Sequence, residues 1–227
     1  MYATRKAGRW AAFTGIGAFL VFTVCFTIIL FVNPPFQWTG LIDFAQYTRD
    51  NPQAFKYAGM FSMLVYGLAY VVLSLCARRD LPRDRRLYGD IAAAFALAFC
   101  VCIGVNYFVQ LTATRLQLLQ GYTEGLTQFT QSFPVSALSA LNMLGWTVFY
   151  GLSTAFLHLA YKGSAECTAL RRWCLLNSVF MLLSAIGYGS QWTFLLAVCM
   201  NAGLGAAGLG MLWGFAHRFQ QRRVTDA

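Results

Sequence analysis

The chain has 227 residues, 58% of them hydrophobic and 11% charged, with a formal net charge of +9. Soluble domains average about 25% charged residues, so this composition excludes an ordinary water-soluble fold. The basic excess does not point to nucleic acid either, because the cations sit in short clusters between long uncharged runs.

No Asp, Glu, Lys or Arg occurs in residues 10–42, 57–77, 91–114, 125–161 or 173–217. A membrane-spanning helix needs about 20 mostly apolar residues. Each of the first four runs supplies one such helix. The last contains "GYGSQ" (187–191), a turn-forming cluster, and therefore supplies two. The runs lack the period-two alternation of a membrane β-barrel.

The first span is expected at 10–32, behind Arg5, Lys6 and Arg9. Its apolar run is too long for a signal peptide and no small-residue cleavage site follows, so it reads as retained. A connection over 33–56 comes next. Within it Trp38, Leu41, Ile42 and Ala45 follow the i, i+3, i+4, i+7 spacing of one helical face. A short amphipathic helix at the membrane surface is the expectation. Asn51 and Pro52 suit the N-cap and first position of a second span at 57–77.

A basic linker (Arg78 to Arg86) leads to the third span, 91–112. The second long connection, 113–135, carries a looser apolar stripe of Leu119, Tyr122, Leu126 and Phe129. Pro134 then suits the first turn of a fourth span, 136–161. The fifth and sixth are expected at 172–188 and 192–217. The fold class is thus all-α: a polytopic membrane protein of six transmembrane helices in three hairpins, forming a single domain.

Two phrases recur. "QYTRDNP" (46–52) returns as "QFTQSFP" (128–134), and "YGLA" (66–69) returns as "YGLS" (150–153). Pro at a helix start, an aromatic at head-group level and Gly where a neighbouring helix approaches explain the shared letters. The first two hairpins therefore read as a parallel repeat, with units 10–79 and 91–163.

Of the 17 Lys and Arg residues, all but Arg49, Lys56 and Arg115 fall in the N-terminus, the even-numbered linkers or the C-terminus. The positive-inside rule then puts both termini in the cytoplasm, with the basic clusters against anionic lipid. Seven cysteines, none in an outer connection, give no reason to expect a disulfide. His158 and His217 lack further ligands, so no metal site is expected. "GLGAAG" (203–208) matches a dinucleotide fingerprint, but it lies inside a span with no preceding strand. No cofactor motif remains.

Polar residues within spans are the strongest functional signal, since they face protein or a cavity rather than lipid. Asn106 and Gln110 share one face of the third helix, and Asn142 lies at a similar depth in the fourth. With Tyr107 and Trp146 they could line an outward-opening pocket for a small apolar or amphipathic ligand. The alternative is interhelical packing. A second function class, a small membrane enzyme, would use Asp43 and Glu124 at the outer interface. A third, an assembly subunit, would dock a partner helix on the ridge Ala206, Gly210, Gly214.

"NYFVQLT" (106–112), followed by "LLQGYTEGL" (118–126), a Pro and another span, resembles uncharacterised six-helix membrane proteins of bacteria and archaea. The resemblance covers roughly 105–160. It implies a prokaryotic inner-membrane protein and carries no activity with it.

Overall fold

The computed structural model describes residues 2–221. Among them every regular element is helical. Six helices are long and apolar enough to cross a membrane: α1 (Tyr2–Val32), α3 (Ala54–Asp80), α4 (Arg83–Gln120), α5 (Ala137–Ala160), α6 (Ala165–Gly189) and α7 (Thr193–Gln220). These fit an integral membrane protein. The short helix α2 (Leu41–Asp50) lies in the first long connection.

α3 and α4 are longer than their uncharged runs because they continue into their charged flanks. α3 takes in Lys56 at its start and Arg78, Arg79 and Asp80 at its end. α4 runs past residue 112 to Gln120 through a π-helical turn at Gln110–Thr114. Gly121, in the left-handed conformation at φ 79°, then ends it. That break separates the stripe expected over 119–129 into two pieces with different axes. Leu118 and Leu126 are buried, whereas Leu119, Tyr122 and Phe129 are exposed.

In the first connection the amphipathic face is rotated from the one expected. Phe44 is 2% exposed and Ile42 75% exposed. Phe44 and Ala45 pack with Phe36, Trp38, Leu41 and Tyr47, and reach Leu118 and Leu126 of the second connection. The two connections therefore share a small apolar core at one end of the bundle, here called the connection end. The opposite, basic end holds the first turns of α1 and the last turns of α7, where Phe219 covers Gly8.

The prolines start neither helix directly. Pro52 lies two residues before Ala54, and Asn51 closes α2, its side-chain amide donating to the Tyr47 carbonyl at 2.9 Å. Pro134 precedes Ser136, which is the true N-cap of α5; its hydroxyl accepts from the Ser139 N–H at 3.1 Å. Both prolines set the turn before the helix rather than its first residue.

Each spanning helix packs on its neighbour in chain order, and α7 returns to α1, so the six form a closed ring. Its centre is aromatic. Tyr66, Tyr70, Phe99, Trp146 and Tyr150 pack edge-on, tilted or, for Tyr66 and Tyr70, parallel, with centroids 4.7–6.4 Å apart. Their polar tips are paired, as burial requires. The Tyr66 and Tyr150 hydroxyls meet at 2.6 Å, and Tyr70 donates to Ser153, which passes its own proton to the Ala92 carbonyl at 2.8 Å.

The α6–α7 hairpin turns within Ser190–Trp192, which needs close backbone contact. A Cβ on Gly187 would lie 2.7 Å from the Leu196 nitrogen. The obstacle is backbone and cannot rotate away. Gly187→Ala is expected to destabilise the protein by about 1–3 kcal/mol, the range for overpacking. Thermal unfolding in detergent would measure it; an unchanged midpoint would contradict the close approach.

Candidate functional site

α1 packs on α7 along its last part, Leu209–Gln221. Nearer the connection end the two helices leave a gap, and there a cavity of about 480 Å³ opens. Its walls come from α1 (Phe22, Phe26), α3 (Lys56, Met60, Met63), α4 (Tyr107), α5 (Asn142, Trp146) and α7 (Met200, Leu204), with Gln131 and Ser132 from the second connection. The volume is in the range of small-molecule sites.

Two helices reach this cavity through π-helical turns, Leu144–Phe149 in α5 and Asn201–Gly208 in α7. Each adds a residue to a turn and re-aims the side chains around it, a device common at functional positions.

Of the five residues expected to line a pocket, the structure brings three to the cavity. Trp146 donates its indole N–H to the Tyr107 hydroxyl at 3.2 Å. That leaves the Tyr107 proton free to be donated elsewhere. Asn142 lies beside them at 6% exposure, and its carbonyl oxygen has no hydrogen-bond partner. A buried, unpaired acceptor costs about 1–3 kcal/mol, so this oxygen needs an explanation.

The other two hold the connection in place. Asn106 donates to the Gln131 side chain at 3.0 Å, so it touches the cavity only through Gln131. Gln110 donates to the Phe129 carbonyl, which also accepts from Thr114 at 3.0 Å. Asn106 and Gln110 do share a helical face, but that face meets residues 129–131 and not the void.

Asp43 and Glu124 are both exposed and neither lines the cavity. Asp43 accepts from the Thr39 hydroxyl at 2.7 Å, a local bond across the start of α2. The small-residue ridge of α7 is occupied from within the chain: Gly210 faces the Trp173 ring and Gly214 faces Leu170, both on α6. Ala206 is exposed, because the π-helical turn at Asn201–Gly208 breaks the four-residue spacing. Asn177, which bridges the Thr154 hydroxyl (3.1 Å) and the Gly203 carbonyl (2.8 Å), ties α5, α6 and α7 together.

Comparison of the chain with family models, curated proteins and solved structures found no match.

Sequence reasoning missed Lys56. The sequence gives it no role, yet it lines the cavity. A signal was present: it is one of only three cations outside the basic clusters. The methionine and phenylalanine walls had no such signal, since apolar residues in a span look alike whether they face lipid, core or void.

Proposed function

We propose that this protein binds a small amphipathic molecule in the cavity between α1 and the first half of α7. The observation that carries the reading is the unpaired carbonyl oxygen of Asn142, buried in the cavity wall. Beside it the Tyr107 hydroxyl has a proton to give. An acceptor and a donor side by side suit a ligand hydroxyl or amide, while the Phe and Met walls suit a hydrocarbon portion. Burying that portion is favourable at about 25 cal/mol per Å².

The connection end faces away from the cytoplasm in this reading, because most Lys and Arg lie at the opposite end. The resemblance of residues 105–160 implies a prokaryotic inner membrane, and in that setting the ligand enters from the outer leaflet or the space beyond it. The gap between α1 and α7 gives a path from the bilayer side. Transport is an extension of the same reading.

The parallel repeat belongs here too. Tyr66 and Tyr150 are equivalent in the two units and touch at the bundle centre. Thr48 and Thr130 are equivalent and both bond back to a carbonyl of the preceding turn, at 2.9 Å in each case. These contacts support a pseudo-two-fold arrangement, in which the cavity is built on one side only.

Native mass spectrometry of the purified protein tests the binding reading. An amphipathic species should remain bound after mild detergent removal and be displaced by an excess of a medium-chain alcohol. Recovery of bare protein from several detergents, with no alcohol-induced change, would count against it.

A further inference from the structure

Lys56 stands where the cavity meets the connection end. Its ammonium lies 3.5 Å from the Ser132 hydroxyl and 4.9 Å from the centre of the Phe44 ring. Among the described residues no carboxylate comes within ion-pair distance of it. The other two cations of this end are engaged elsewhere. Arg49 donates to Gln46 at 3.3 Å, and Arg115 lies over the Tyr57 ring at 5.3 Å. Lys56 alone faces the void.

Lys56 is half-buried, and a cation drawn partly out of water is stabilised by an opposite charge beside it. A hydroxyl and a ring face supply only part of that compensation. Of the remaining walls, Phe22, Cys25, Phe26, Phe55 and Met60 supply none, and the side-chain oxygen of Gln131 is engaged by Asn106. The deeper polar pair, Asn142 and Tyr107, is neutral.

From this arrangement we infer that the ligand is an anionic amphiphile. Its oxyanion head sits on Lys56 and Ser132, its polar neck against Asn142 and Tyr107, and its hydrocarbon tail in the gap between α1 and α7. This rests on the binding reading above and adds the charge of the head. A carboxylate and a phosphate monoester share the required chemistry.

Three probes with one brominated octadecyl tail separate the cases: 9,10-dibromo-octadecanoate, the corresponding phosphate monoester and the corresponding alcohol. Bromine quenches tryptophan fluorescence at contact, and Trp146 lies in the wall. The displaceable part of the quenching, measured with unbrominated competitor at a pH where both anions are ionised, gives each affinity. At least one anion should bind the wild-type protein about tenfold or more tighter than the alcohol, the scale of one charge-assisted contact. The tighter of the two anions identifies the head.

Lys56→Gln should erase that preference while leaving alcohol binding in place, which also certifies that the variant is folded. Lys56→Arg should keep it. Equal binding of alcohol and anions by the wild-type protein overturns the inference, as does a preference that survives in Lys56→Gln. In either case the binding reading stands. Failure of all three probes to quench sinks both.

Discussion

Replacing Arg218 with Met should lower the unfolding free energy by about 3 kcal/mol, the usual consequence of removing one member of a buried ion pair. Arg218 of α7 and Asp80 at the end of α3 are 2.7 Å apart, with side chains 11% and 5% exposed. The guanidinium also donates to the Cys167 sulfur at 2.6 Å and lies over the Tyr161 ring at 5.2 Å. One side chain thus joins the ends of α3 and α7 to the α5–α6 turn. Asp80 makes further contacts of its own, which soften the loss.

The sign of a double replacement discriminates the cause. Asp80→Leu combined with Arg218→Met removes both charges, and apolar residues of similar volume often recover or exceed the original stability. The double variant should therefore unfold at a higher temperature than Arg218→Met alone. If it is worse than either single change, the pair contributes through packing and not through charge compensation. Thermal unfolding in one detergent, followed by intrinsic fluorescence, measures all three.

Nothing in the sequence marked that pair. Asp80 and Arg218 are 138 positions apart, and each reads as an ordinary charge flanking a span. Charge-free runs locate helices well because the bilayer imposes a length and an apolar composition on each one separately. They say nothing about which flanks meet. The same limit explains Leu119. Periodicity assigns a face to a helix whose axis is known, and the left-handed break at Gly121 changed the axis. Asn142, Tyr107 and Trp146 were legible because a polar or amphipathic side chain inside a span has few places to go. Asn106 and Gln110 obeyed the same logic, but their bonds go to residues 129–131 of the connection. A rule that forbids lipid exposure cannot distinguish a cavity from a hydrogen-bonded loop.

Asn142→Leu should move stability and binding in opposite directions. The Asn142 carbonyl oxygen is buried without a partner, and an apolar residue of similar size removes that penalty, worth about 1–3 kcal/mol. The ligand-free variant should therefore unfold at a higher temperature than the wild-type protein. Its affinity for a hydroxyl-bearing amphiphile should fall about tenfold or more, because a ligand group then enters the wall without its acceptor. Affinity for a plain hydrocarbon of equal length should change little. Sites that keep an unsatisfied group in readiness for a ligand give up stability in the free state. A purely structural Asn142 gives the reverse pattern: Leu then breaks a needed contact, stability falls, and the two ligands are affected alike. Unfolding midpoints of the free protein, together with affinities for an alcohol and for the matching alkane, separate the two outcomes in a single variant.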